Sequence, residues 1–196
     1  GYAGYEPGDN VVHIFAMGSL VTEAIAASKE LLQRGIYANV IVVTSSDLVA
    51  GNLAAQDNYS HLKQGLNVDS KLYLQPVKGE SSQAEELRTF SGRRIPIVSV
   101  HDGEPGLLDN LGSIVGVKQE ALAVRKHSLC GRPRDVYQFH GIDKEAVVEA
   151  CGKVLSETAL ESVEISQKAL RDLSQAAEVP QVENWRQLWP SAPKRH

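Results

Sequence analysis

Three groups of residues have types and spacings suited to chemistry. His101-Asp102, with Glu104, follows an apolar run and sets an imidazole beside two carboxylates, the groups that acid/base work needs. His127 stands three residues from Cys130, and Arg125, Lys126, Arg132 and Arg134 flank the pair. Cations so placed stabilise a thiolate and make it a nucleophile. The same basic cluster could instead take an acidic group or a partner's carboxylates. Gly18-Ser19 separates an apolar run from a helical pattern, where a phosphate can rest on the backbone N–H groups of a helix start. Each group also has a plainer reading, as a satisfied turn, a solvated basic loop or interface contact, or an ordinary strand-to-helix turn.

No longer motif selects among these readings. The chain has no G-x-S-x-G, no C-x-x-C and no H-E-x-x-H. The turn at Gly18 carries one glycine where the dinucleotide fingerprint needs three, and it lacks the lysine of a triphosphate-binding loop. The spacings of His, Cys, Asp and Glu match no metal-ligand set. No catalytic residue, cofactor-binding residue or metal ligand is therefore assigned. The candidates for an anion site or an interface are Gly18, Ser19, His101, Glu104, His127, Arg132 and Arg134.

These residues need a scaffold, and the first part of the chain supplies one. Val11 to Met17 is a short apolar run, as in a strand covered on both faces. Ser19 can cap the next helix, in which Val21, Ala24, Ile25, Ser28, Leu31 and Leu32 recur at helical spacing. Gly35 suits the left-handed residue that stops it, and Val40 to Val43 reads as a second buried strand. One such unit forces a parallel pair with a right-handed crossover. Ser45, Ser46 and Asp47 follow, either as polar groups at a cleft or as a cap for a helix starting near Leu48.

Residues 52–66 suit one helix, and residues 72–74 a short strand. Residues 80–94 are polar, with a turn of helix at 84–90, and the region reads as a long surface connection. Ile95 to His101 is the third strand. A turn leads to a helix carrying Leu107, Leu108, Leu111, Ile114 and Val115, in which Gly112 marks close packing. Ala121 to Lys126 is a weaker fourth strand, and 127–135 is a basic loop leading to Val136–His140. Asp143 can cap a helix with Val147, Ala150, Cys151, Val154 and Leu155 on one face. A further helical stretch, with Leu160, Val163, Leu170, Leu173 and Ala177, runs towards Pro180. The last residues carry Trp185 and Trp189, as an arm packed on the domain or a segment meant for another chain.

A length of 196 residues holds one sizeable α/β domain and a tail, divided as 1–157 and a helical, tryptophan-bearing extension at 158–196. A net charge of −4, from 20 basic and 24 acidic residues, argues against broad nucleic-acid binding. Two cysteines, no secretory signal and no apolar run of spanning length point to a reduced, cytoplasmic setting away from membranes. The opening GYAGYEPGDN suits a short edge strand before a turn and lacks an initiator Met, so a piece of a longer polypeptide is expected.

Taken together, these segments resemble a known family. VVHIFAMGSLVTEAIAASKELLQRGIYANVIVVTSSDL is similar to the opening of the C-terminal domain of transketolase-like, thiamine-diphosphate-dependent enzymes. Its VVTSSDL end is closest to the homodimeric decarboxylase component of pyruvate dehydrogenase. IPIVSVHDGEPGLLDNLGSIVG looks like the family's strand and glycine-rich helix, nearer transketolase. GRPRDVYQFHGIDKEAVVEACGKVL is similar to its closing Gly-Arg loop, aromatic segment, Asp cap and final helix, and GYAGY to its edge strand. The resemblance covers roughly residues 1–157.

The resemblance implies a three-layer α/β/α domain with a five-stranded, mostly parallel sheet and an antiparallel edge strand. It implies a dimer-supporting domain, with thiamine diphosphate and Mg bound by other domains of the full-length parent and no cofactor in this segment. The parent would be an oxidoreductase-complex decarboxylase of 2-keto acids or a transferase moving ketol groups between sugar phosphates. Its partners would be the rest of the parent chain, a second copy and, in some relatives, an acyltransferase. Two readings stand against this one. The first is a self-standing binding module for a small anion or protein partner near Gly18-Ser19 or Arg132/Arg134. The second is a small enzyme using His127 and Cys130.

Overall fold

A computed structural model describes residues 5, 9–66 and 95–178. The chain divides into two compact units, Gly1–Ser162 and Val163–His196. The first unit holds an α/β fold. Strand β1 (Val11–Met17) passes through a short 3-10 turn at Gly18–Leu20 into α1 (Val21–Gln33), then β2 (Tyr37–Val43). Short helices α2 (Ser46–Val49), α3 (Asn52–Gln56) and α4 (Ser60–Gly65) follow. Then come β3 (Ile97–Val100), α5 (Leu111–Val115), β4 (Gln119–Leu122), α6 (Pro133–His140) and α7 (Lys144–Glu178), which continues into the second unit.

The sheet order is β2-β1-β3-β4, and every pairing is parallel. Four strands are thus seen among the described residues where five were expected, and none is antiparallel. The expected edge strand falls largely in residues outside the described set, as do the readings at 72–74 and 84–90 and the tryptophan tail. Alternate residues of β1 separate two cores, as the pleat requires. Val12, Ile14 and Ala16 pack with Ala24, Ala27 and Leu31 of α1 and Val147, Ala150, Cys151 and Val154 of α7. Phe15 packs with Val43, Leu62 and Ile97, and with Leu108, Leu111 and Val115 around α5. Helices therefore cover both faces, the three-layer arrangement of doubly wound sheets.

Several local expectations are met. Gly35 has φ +76, and the Schellman pair closes α1 through Gly35 N to Leu32 O at 3.1 Å and Ile36 N to Leu31 O at 2.9 Å. Ser45 accepts from Leu48 N at 3.4 Å and caps α2, whereas Asp47 lies inside that helix and accepts from Leu53 N of α3 at 3.2 Å. Asp143 Oδ1 accepts from Ala146 N at 3.1 Å at the start of α7, whose predicted apolar face is buried.

Others are corrected. Ser19 does not cap α1; its hydroxyl is engaged elsewhere, and the helix enters through the 3-10 turn. The buried stripe of α1 is Ala24, Ala27 and Leu31, which rotates Ile25 and Leu32 outward. Strand β2 ends the sheet among the described residues, so of the predicted buried run only Val43 is buried. The helix expected over 52–66 breaks because Asn58 and Tyr59 adopt positive φ, of 50° and 56°.

Gln119 accounts for two further shifts. Its Nε2 donates to Leu108 O at 2.6 Å and its Oε1 accepts from Gly112 N at 2.6 Å. The side-chain amide thereby stands in for the backbone bond that a helix starting at Leu107 would make, and α5 begins at Leu111. Nε2 also donates to Ser99 Oγ at 2.8 Å, which fixes β4 at Gln119 rather than at the more apolar Ala121. The basic loop ends earlier than expected, because Pro133 opens α6 at the position where its missing N–H costs nothing.

Candidate functional site

Strand order makes one place special. The chain leaves β1 towards β2 on one side and leaves β3 towards β4 on the other, so the loops after β1 and β3 part. Open α/β sheets take ligands in the crevice at such a switch point, beyond the carboxyl ends of the strands. Gly18-Ser19 ends β1, and His101-Asp102-Gly103 ends β3. Two of the three groups singled out from residue type therefore meet here.

They meet through hydrogen bonds. Ser19 Oγ donates to Asp102 Oδ2 at 2.6 Å, a short bond of the charge-assisted kind. Tyr137 of α6 donates its hydroxyl to Ser19 Oγ at 2.9 Å. Gly18 has φ +67, and a Cβ there would stand 2.8 Å from Asp102 Oδ1, so a side chain at residue 18 would strain the backbone and push the carboxylate aside. A carboxylate at this turn repels an anion, and the Ser19 hydroxyl is already spent. A diphosphate needs donors and cations in that place, so the crevice does not fit thiamine diphosphate.

His101 is fully buried behind this chain. Gly103 N donates to its Nδ1 at 3.2 Å, which puts the proton of the neutral ring on Nε2. Burial lowers its pKa; Asp109 and Asp102 act against that, and Arg125 adds to it. His101 Nε2 and Asp109 Oδ1 are both buried without a hydrogen-bond partner among the described residues. Arg125 lies 3.6 Å from Asp109 Oδ2 and donates to Ala121 O at 3.1 Å. Glu104 is exposed beyond Asp102.

The basic loop stands apart in its contacts. His127, Cys130, Arg132 and Arg134 are all exposed, and no bond joins His127 to Cys130. The histidine that meets this loop is His140, whose ring lies 3.0 Å from Ser128 Oγ. Lys126 Nζ sits 3.7 Å from the Phe139 ring centroid, a cation–π contact. The other cysteine, Cys151, is buried in the core, and burial pushes its thiol up to about 12. Among the described residues no cluster of three or more His, Cys, Asp and Glu is placed to hold a metal ion. Among them, too, no helix is long and apolar enough to cross a membrane.

Tyr137, Asp109 and His140 were not singled out from the sequence. Tyr137 reaches Ser19 across 118 residues, and no local pattern could announce that contact.

Comparison with known proteins yields fold neighbours only. No family model matches the chain, and neither does any curated protein sequence. Among solved structures, the chain is similar to a split-gene transketolase described as an inactive beta4 tetramer. Identity is 19% and the TM-score 0.48, over 77% of this chain and 41% of that one. It is also similar to a Pichia stipitis transketolase in complex with sedoheptulose 7-phosphate, at 16% identity and a TM-score of 0.44. That match covers 78% of this chain and 17% of the other, so the chain spans less than half the length of either protein.

Proposed function

We propose that this chain is the C-terminal, assembly-supporting domain of a thiamine-diphosphate-dependent enzyme and carries no catalytic residue itself. The single observation that carries the non-catalytic part is the closed switch point. Where this fold class takes its ligands, Asp102, Ser19 and Tyr137 satisfy one another and a carboxylate lies against Gly18. The thiamine-enzyme part rests on the quoted segments, whose order falls on β1–α1–β2, on β3–α5 and on α6–α7. The Val43-Thr44-Ser45 end of β2 favours a 2-keto acid decarboxylase parent over a transketolase. In that parent, other domains hold thiamine diphosphate and Mg.

Assembly fits the surface. Ile25 and Leu32 stand seven residues apart on α1 and are 42% and 52% exposed, and Val42 on β2 is 53% exposed. Where such side chains gather into one patch, they mark a surface that meets a partner. The expected partners are the parent's other domains and a second copy of the chain; an acyltransferase would be a third. Titration calorimetry with thiamine diphosphate and Mg tests the reading. No heat of binding to this chain alone is expected, and saturable stoichiometric binding would overturn it.

A further inference from the structure

His101 works as an acceptor. Its Nδ1 takes the Gly103 N–H at 3.2 Å, which requires that nitrogen to be unprotonated. Protonation would place a hydrogen on Nδ1 and set it against the Gly103 N–H, donor against donor. Gly103 has little room to yield. Its carbonyl accepts from Val124 N at 3.0 Å, and a Cβ on it would stand 2.7 Å from Leu107 Cδ1 and 3.3 Å from His101 Nδ1. The neighbouring residue, Asp102, is the carboxylate that holds Ser19 and, through it, Tyr137 of α6.

We propose that the His101–Gly103 corner is a proton-operated latch: the neutral ring holds the Asp102–Ser19–Tyr137 chain in place, and protonation of Nδ1 frees α6 from the turn after β1. The charged groups acting on the ring are Asp109 and Asp102, which favour the imidazolium, and Arg125, which opposes it. Asp109 Oδ1 is buried without a hydrogen-bond partner among the described residues, and its carboxylate favours the charged ring. Burial holds the ring below its ordinary pKa, so the latch stays closed at neutral pH and opens on acidification.

The test is NMR on the whole chain from neutral to acid pH, following the His101 ring signals and amide exchange in α6, corrected for intrinsic exchange. Amides of α1 serve as the control for global unfolding. In the wild type, α6 protection should fall about tenfold at the His101 midpoint, the scale of one lost hydrogen bond, while α1 holds. Tyr137→Phe should keep the His101 titration and abolish the step in α6. His101→Asn, which keeps an acceptor but cannot be protonated, should abolish the step as well. If His101→Asn does not fold, Tyr137→Phe decides alone, since it removes only a hydroxyl. Flat α6 protection through the His101 midpoint, or an equal step in Tyr137→Phe, would overturn the latch.

Discussion

Ser19 and Asp102, 83 residues apart in sequence, are joined by a 2.6 Å hydrogen bond that ties the end of β1 to the end of β3. This bond closes the crevice that a doubly wound sheet leaves open, and it depends on glycine at position 18. Gly18→Ala should destabilise the fold by about 2 kcal/mol, combining a left-handed backbone with a crowded carboxylate. In an Asp102→Ala background the crowding is gone, and about 1 kcal/mol should remain. Urea unfolding of the four proteins of the cycle measures both numbers, and equal costs in the two backgrounds would deny the contact.

Gly112 makes the same kind of argument inside a helix. A Cβ there would stand 2.6 Å from Gln119 Cβ and 2.7 Å from Val117 O. Helix propensity alone favours Ala by about 1 kcal/mol, so Gly112→Ala sets propensity against packing. Packing should win, because one of the obstructing atoms is backbone. A net loss of about 1–3 kcal/mol in urea unfolding is expected.

Stability should depend on His13. It is buried within β1, its Nδ1 lies 3.4 Å from Asn39 Nδ2, and burial lowers its pKa from 6.5 to about 4. Below pH 6.5 the unfolded chain takes up a proton that the folded chain refuses. Stability therefore falls as pH drops from 6.5 towards 4 and levels off below, by about 3 kcal/mol in all. Unfolding free energies across this window should show the slope, and His13→Gln should remove the His13 part of it and leave the part that His101, also held below its ordinary pKa by burial, contributes.

The two thiols should differ sharply. Cys130 is exposed and Cys151 is buried, with its thiolate disfavoured to about pH 12. A thiol reagent at neutral pH should titrate one group per chain in the folded protein and two only in denaturant. Rapid reaction of both thiols without denaturant would contradict the packing of α7.

How much was legible in advance follows from which forces act locally. Gly35, Ser45 and Asp143 act within a few residues of themselves, and their roles could be read directly. The first turns of α7 obeyed their period, since Val147, Ala150, Cys151, Val154 and Leu155 are all buried, whereas Leu160 and Val163 farther along are exposed. Gln119 could not be read, because a polar residue that inserts its amide between Leu108 and Gly112 looks like any other surface glutamine. The stripe on α1 was misplaced for a related reason. Ile25 and Leu32 have the composition of a core, but the sheet beneath accepts the smaller Ala24 and Ala27. At the candidate site, Gly18, Ser19 and His101 were visible by type and position. Their closure by Asp102 and Tyr137 was not, since those contacts span 83 and 118 residues.

Sedimentation velocity of the purified chain with thiamine diphosphate and Mg present, monitored at both protein and cofactor wavelengths, tests the proposed assembly role most directly. The account predicts a dimer that sediments free of cofactor. A monomer at every concentration, or cofactor travelling with the protein, would contradict it.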